Sequence, residues 1–391
     1  MNKPIYMLFY DRVYRAQDNA EHMYRWVAKN HPEITIKYIL NSTSSDWDRL
    51  KAEGFNLING LNRLAVQAEL MLCDYAISSI FAEGTGFDFS KCLCKRIFLN
   101  HGCFLAPINY IKNERENIDL FIAANKLEYD TLLHPYHGLS KGQVALCGQP
   151  RQDDLAVAQN KPHKENTILI QFWQRPKEWT KDNNKQFLAS DFYKKTSAIL
   201  TNKKLLDLCE KNKLKLVFKM HSIQYDWLKY YKKFESKLVH ISPLSELFEP
   251  EFIRSKFIIT DISSNAYEMA KINKPCIYFE PDPEELFNWR YTKNGGFEFD
   301  LINNSIGPVI YKDVNKLVQT IEQLIKNDFV LDKKYSDRRQ SQIYFINDTD
   351  NCKRCFEAML ELGESLAAKK QREARIRARR ADGRTNTYLY F

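Results

Sequence analysis

Residues 258–265 read IITDISSN, a short apolar run that ends on Thr260 and Asp261 and meets Ser263, Ser264 and Asn265 where a helical pattern begins. The first turn of a helix leaves backbone N–H groups unpaired at the positive end of its dipole. Such an end is closed by its own polar side chains or holds a phosphate, and this stretch suits both. Other apolar runs end in residues of similar chemistry. His101 follows RIFLN (96–100), Arg151 follows QVALC (143–147), and Gln174 and Arg175 follow TILIQFW (167–173). His221 follows LKLVFKM (214–220), with Lys219 two residues earlier. In open α/β sheets ligands bind outside the carboxyl ends of the strands. Two of the chain's eight histidines, two arginines and a serine-rich helix start at equivalent edges suit a diphosphate held between two domains. Arginine offers phosphate a forked, permanent charge. A histidine facing it from the other domain could take a proton from an attacking hydroxyl.

The elements that would position these residues alternate along the chain. Strand patterns fall at 5–10, 35–40, 75–78, 96–100, 119–123 and 143–147, with helical patterns between most of them. The helix at 18–30 opens on a D-x-x-E capping box, Asp18 and Glu21. The polar segment 148–166, with Pro150 and Pro162, reads as a domain boundary. The alternation restarts with strands at 167–173, 214–220, 256–260, 275–280 and 307–311, and helices at 313–327 and 350–362. Short apolar strands punctuated by helices predict parallel sheets. The expected architecture is two Rossmann-like, doubly wound α/β domains facing across a cleft, 1–160 and 161–362, followed by a basic tail, 363–391, helical or disordered.

Composition narrows the function classes. The net charge is +9, but eight basic residues against two acids between Lys369 and Arg384 carry most of it and leave +3 for the remaining chain. A nearly neutral body does not suit a general nucleic-acid binder. The apolar runs are too short to span a bilayer, and the start reads as a first strand without a signal-peptide cleavage site. Most of the nine cysteines lie in apolar segments, as reduced core residues do. The C-x-x-C at Cys352 and Cys355 has no second pair to complete a zinc set. There is no Walker loop and no compact acidic metal cluster, so no metal and no cofactor is expected.

Six motifs in order, from about residue 5 to about residue 360, resemble those of the CDP-glycerol glycerophosphotransferases, which move glycerol or ribitol phosphate in teichoic-acid and capsule synthesis. They are DNAEHMYRWV, NHG (100–102), GQPRQDDL (148–155), KMHS (219–222), IITDISSNAYEMAKINKPCIYFEPD (258–282) and GGFEFDLINNSIGPVI (295–310). The resemblance implies a GT-B-like fold, with the nucleotide in the C-terminal domain and the acceptor over the N-terminal one. By position, His101 matches the catalytic base and His221 the second essential histidine. Ser263 and Ser264 match the phosphate-holding helix start, and Glu268 an acidic residue for a ribose or glycerol hydroxyl. Arg290, Asp300 and Arg354 match later polar positions. Arg151, Arg175, Lys219, Thr260, Asp261 and Asn265 complete the expected CDP-alditol site. One departure falls on the acceptor side, where HGCFLAP replaces the family's lysine-bearing HGTPLKK. The implied reaction moves an alditol phosphate from CDP-glycerol or CDP-ribitol to a hydroxyl of a glycan or lipid-linked glycan, releasing CMP. A nucleotide-sugar glycosyltransferase shares the architecture, and a basic adaptor acting through its tail is the non-enzymatic alternative. Residues 369–384 suit peripheral attraction to an anionic membrane at the cytoplasmic face.

Overall fold

Short apolar runs, buried on both faces, form two all-parallel sheets in the computed structural model of the chain. The structure describes residues 4–81, 85–159, 166–175, 184–243, 248–284, 286–287, 290, 296–297, 299–343 and 348–381. The strands of the first sheet are Tyr6–Tyr10 (β1), Thr35–Leu40 (β2), Leu57–Asn59 (β3), Tyr75–Ser78 (β4), Lys95–Phe98 (β5), Leu120–Ala123 (β6) and Val144–Leu146 (β7). Those of the second are Asn166–Ile170 (β8), Leu214–Lys219 (β9), Val239–Ser242 (β10), Ser255–Thr260 (β11), Cys276–Glu280 (β12) and Val309–Tyr311 (β13).

The first sheet runs β3-β2-β1-β4-β5-β6-β7 and the second β10-β9-β8-β11-β12-β13. In each, the strand order reverses beside the first strand, so a crevice opens between β1 and β4 and between β8 and β11. These are the two Rossmann-like domains of the expected GT-B-like fold. Sequence reading missed β3 and β10. Both are short edge strands whose sequences, LIN and VHIS, are interrupted by polar residues and so show no apolar run. The expected boundary at residues 160 and 161 lies outside the described residues.

Two details differ from the sequence reading. Glu21 does not return to the backbone of Asp18. Its carboxylate takes the Gln17 N–H at 2.6 Å instead. The start of the helix Asn19–Asn30 is filled by Asp11, fully buried at the end of β1, which accepts from the N–H groups of Ala20 and Glu21 at 3.3 and 3.2 Å. The second correction concerns the expected domain 161–362. The helix Asn351–Leu360 leaves the second sheet and packs Cys352, Cys355, Phe356 and Met359 into the core of the first, with Met7, Phe9, Met23 and Val27. Its amphipathic pattern specifies one apolar face but not which sheet that face covers. The C-x-x-C is core packing, since both thiols are buried.

The tail is helical from Leu366 to Ala381, and residues 382–391 lie outside the described residues. Its start is fastened to the first domain. Ser365 donates to the Leu93 carbonyl at 2.6 Å, and Lys370 donates to the Glu116 carbonyl at 2.9 Å.

The crossing helix depends on one glycine. Gly148 has φ +82°, and a Cβ there would fall 2.2 Å from Asn351 Oδ1 and 2.5 Å from its Cγ. Asn351 cannot step aside, because its N–H donates to Asp153 and its amide to the Gln149 carbonyl, both at 3.0 Å. Gly148→Ala is therefore expected to lower unfolding free energy by about 2 kcal/mol or more, from left-handed strain and overpacking together. Urea denaturation tests this, and an unchanged midpoint would contradict it.

Candidate active site

The crevices of both sheets open into one cavity of about 470 Å³. Its first wall comes from the loop after β1, which carries Arg12, Arg15 and Asp18, and from the segment after β5, which carries His101. The facing wall comes from Trp173 after β8, His221 after β9, and Ser263, Ser264 and Asn265 after β11. The parallel topology makes this unavoidable, because every strand of a sheet presents its carboxyl end at the same edge.

Asn100 sets the direction of His101. It adopts a left-handed backbone, φ 60°, which asparagine tolerates better than most residues. Its side-chain oxygen accepts the His101 N–H at 2.7 Å, and its amide donates to Glu128 at 2.7 Å. Its carbonyl accepts from the Asn19 amide at 2.7 Å. Glu128 is fully buried and also takes the N–H groups of Phe104 and Ala124, at 2.7 and 2.6 Å. Burial pushes its pKa up to about 7, against the pull of these donors. Asn125 caps the helix that bears it, accepting from the Glu128 N–H at 2.9 Å.

The His101 ring is open to the cavity but deep within the cleft. Burial lowers its pKa from the ordinary histidine range. The Asp18 carboxylate opposes that shift, and the guanidinium groups of Arg12 and Arg151 reinforce it. Nδ1 lies 3.4 Å from the Ser79 carbonyl. That contact favours the tautomer with hydrogen on Nδ1, which leaves Nε2 free to accept a proton. The facing wall comes very close. A Cβ on Gly102 would fall 2.8 Å from Ser264 Oγ.

Of the expected residues, His101, Arg151, His221, Ser263, Ser264, Asn265 and Glu268 line the cavity. Ser264 stands at the start of the helix Asn265–Lys271 and makes no side-chain capping bond. Arg151 bridges the domains, donating to Asp18 at 2.8 Å and to Glu268 at 2.6 Å. It is already engaged by two carboxylates.

The other expected ligand groups are placed elsewhere, which corrects their sequence reading. Arg175 is wholly buried, donating to Asp282 at 2.7 and 2.8 Å and to Asp261 at 2.7 Å. Asp261 is consumed by that pair and by the Trp173 N–H at 2.8 Å. Lys219 is buried and donates to Ser242 on β10 at 3.0 Å. Thr260 is buried at the end of β11. Arg290 is buried with Glu280, 3.5 Å away. Arg354 joins the base of the crossing helix to Asp348 at 2.7 Å and to the Cys147 carbonyl at 2.9 Å. Asp300 caps the short helix Leu301–Asn304, accepting from the Asn303 N–H at 3.0 Å. The physical reason is common to most of them. A strand end marks the right edge, but side chains there alternate between the cavity and the packed layers.

Arg12, Arg15 and Trp173 line the cavity and were not singled out from sequence. The strand-end rule applied to β1 finds both arginines. Glu128 sits in an N-x-x-E pattern, Asn125 to Glu128, whose capping spacing was the available signal. Among the described residues, no group of three His, Cys, Asp or Glu could hold a metal ion.

Comparisons with known proteins agree with this architecture. The sequence model of the CDP-glycerol:poly(glycerophosphate) glycerophosphotransferase family matches residues 2–361. The minor teichoic acid biosynthesis protein GgaB of Bacillus subtilis (strain 168) is 24% identical over 388 residues, which cover 94% of this chain. The chain spans 41% of that protein's length. The wall teichoic acid polymerase TagF, in a crystal soaked with CDPG, superposes with a TM-score of 0.62 at 14% identity, over 92% of this chain and 88% of that one. A UDP-N-acetylglucosamine 2-epimerase superposes with a TM-score of 0.56 at 14% identity, over 92% and 96% of the two chains. These structural likenesses concern the fold. The family match covers nearly the whole chain, and the chain belongs to the CDP-glycerol:poly(glycerophosphate) glycerophosphotransferase family.

Proposed function

We propose that the chain transfers glycerol phosphate, or ribitol phosphate, from its CDP ester to a hydroxyl of a teichoic-acid or capsule glycan, free or lipid-linked. The observation that carries this reading is a neutral-leaning histidine on one wall of an interdomain cavity, facing hydroxyl and amide donors on the other. Membership of the family and the TagF crystal soaked with CDPG support the donor. GgaB, by its description, supports a teichoic-acid setting.

In the proposed reaction, His101 Nε2 takes the proton of the acceptor hydroxyl. The oxygen attacks the phosphorus that bears the alditol, forming a new P–O bond. The P–O bond to the bridging oxygen breaks, and CMP leaves with its electron pair. Positioned donors supply most of the stabilisation in such transfers. His221, Ser263, Ser264 and Asn265 stand where they would meet the diphosphate. Glu268, held by Arg151, stands where it would accept from a ribose or glycerol hydroxyl. Arg175, Lys219 and Asp261 act behind this wall as struts.

No helix among the described residues is long and apolar enough to cross a membrane. We place the protein peripherally at the cytoplasmic face of the membrane. Lys369, Lys370, Arg372, Arg375 and Arg377 are exposed on the tail helix, and each basic residue near an anionic surface is worth about 1 kcal/mol. Ile376, 39% exposed, offers little for deep insertion.

Four measurements follow from this reading. Incubation with CDP-glycerol or CDP-ribitol and an acceptor should release CMP, whereas release of a nucleoside diphosphate would establish a glycosyltransferase instead. His101→Ala should lower turnover by about 10²–10⁴-fold and leave CDP-glycerol affinity nearly unchanged. Near-normal turnover would make His101 structural. Because the base must be unprotonated and its pKa is depressed, the acid limb of kcat/KM should lie below the ordinary histidine range; a limb at or above that range contradicts the assignment. Removal of residues 364–391 should abolish sedimentation with anionic vesicles at low salt while soluble turnover persists. Unchanged sedimentation would exclude the tail as the membrane contact.

A further inference from the structure

The wall that carries His101 also carries two arginines that the transfer just described leaves unused. Arg12 and Arg15 lie on the loop after β1 and line the cavity. The loop is closed by the Arg15 N–H donating to the Arg12 carbonyl at 2.8 Å. It is also fastened from behind. The Ala16 N–H donates to Asp46 at 3.0 Å, the Gln17 side chain donates to Asp46 at 2.6 Å, and Arg49 ties Asp46 to Glu21. The loop is thus a braced platform.

Among the described residues, the Arg12 guanidinium has no hydrogen bond and no ion pair, although it is partly buried. Arg15 uses one donor, on Gln17 Oε1 at 3.2 Å. The carboxylate on the same wall, Asp18, is turned to Arg151. A partly buried cation without a counter-ion is unfavourable, and a forked guanidinium is matched best by carboxylate or phosphate. The charge of Arg12 reaches His101, whose pKa it helps to lower. An anion seated here would therefore lie beside the base, on the wall opposite Ser263, Ser264 and Asn265.

We propose that Arg12 and Arg15 form a subsite for a phosphate of the acceptor, next to the hydroxyl that His101 activates. The inference rests on the transfer reading above and deepens it. The preferred acceptor ends in an alditol already joined by a phosphodiester, so each product presents the feature that the next round recognises. This platform supplies cationic donors on the acceptor side, where HGCFLAP carries no lysine.

Two acceptors of equal length test this, a glycerophosphoglycerol and an uncharged diglycerol ether, with CDP-glycerol as donor and CMP release as readout. Wild type should prefer the phosphodiester. In the double variant Arg12→Gln, Arg15→Gln the ratio of the two kcat/KM values should fall by about tenfold or more, while the Kd for CDP-glycerol moves far less. Arg12→Lys, which keeps charge but not the fork, should retain part of the preference and serves if the double variant does not fold. An unchanged ratio overturns the proposal. So does a loss of CDP-glycerol affinity as large as the loss of preference, which would assign the arginines to the donor. Absence of turnover with either acceptor in wild type overturns the transfer reading itself. The subsite is then decided by calorimetric titration with sn-glycerol 3-phosphate, expected to bind wild type and to weaken about tenfold or more in the double variant. Equal binding to both overturns it.

Discussion

One guanidinium holds the two halves of the cavity in register. Arg151 reaches Asp18 on the first domain and Glu268 on the second, and its own N–H donates to Asn19 Oδ1 at 3.1 Å. Asn19 in turn donates to the carbonyl of Asn100, the residue that aims His101. Glu268, Arg151, Asn19, Asn100 and His101 therefore form a continuous path across the cleft. An ion pair of this kind contributes little net stability, because desolvation offsets much of the attraction. Its consequence is geometric. Removing either carboxylate leaves Arg151 tied to one domain only, and the two walls lose their common reference.

The second domain uses a stiffer version of the same device. Arg175 joins the loops after β8, β11 and β12 through Trp173, Asp261 and Asp282. Its guanidinium also packs 4.4 Å from the centre of the Phe192 ring. Four of its five N–H donors are accounted for by these acceptors. A side chain so fully used cannot also bind a diphosphate without abandoning two buried aspartates. It fixes the wall on which Ser263, Ser264 and Asn265 stand.

The sequence was legible where an effect is local. Apolar runs of four to seven residues marked eleven of the thirteen strands, and the strand-end rule found His101, His221 and the serine pair at the right edge. It failed where an effect depends on distant chain. Arg175 and Lys219 stand at strand ends as cavity residues do, but their partners, Asp282 and Ser242, are 107 and 23 residues away. Glu128 is readable as the end of a capping box, yet its bonds to Asn100 and Phe104 span 28 and 24 residues. The helix Asn351–Leu360 shows its apolar stripe plainly. Only the fold decides that Cys355 and Phe356 cover the first sheet.

These long-range ties converge on the width of the cleft. In the proposed transfer a hydroxyl attacks a phosphorus with the reacting atoms within about 3–3.5 Å, and His101 and the serines proposed to face the phosphate follow strands of different sheets. The two walls meet at Gly102 and Ser264, where even a methyl group would come within 2.8 Å of the hydroxyl. Glycine at 102 therefore sets the nearest approach, while Arg151 and the crossing helix keep the halves from parting. Their joint effect also bears on water, which competes with any alcohol for an activated phosphorus. Phe104 and Tyr110, on the His101 side, pack ring to ring at 5.8 Å and line the cavity. A narrow cleft with an apolar flank favours an acceptor that brings its own contacts over one that merely diffuses in. In the proposed transfer, placing His101 and the phosphate-facing serines on two domains makes the spacing between domains, rather than any single side chain, the quantity on which transfer to an alcohol instead of water depends.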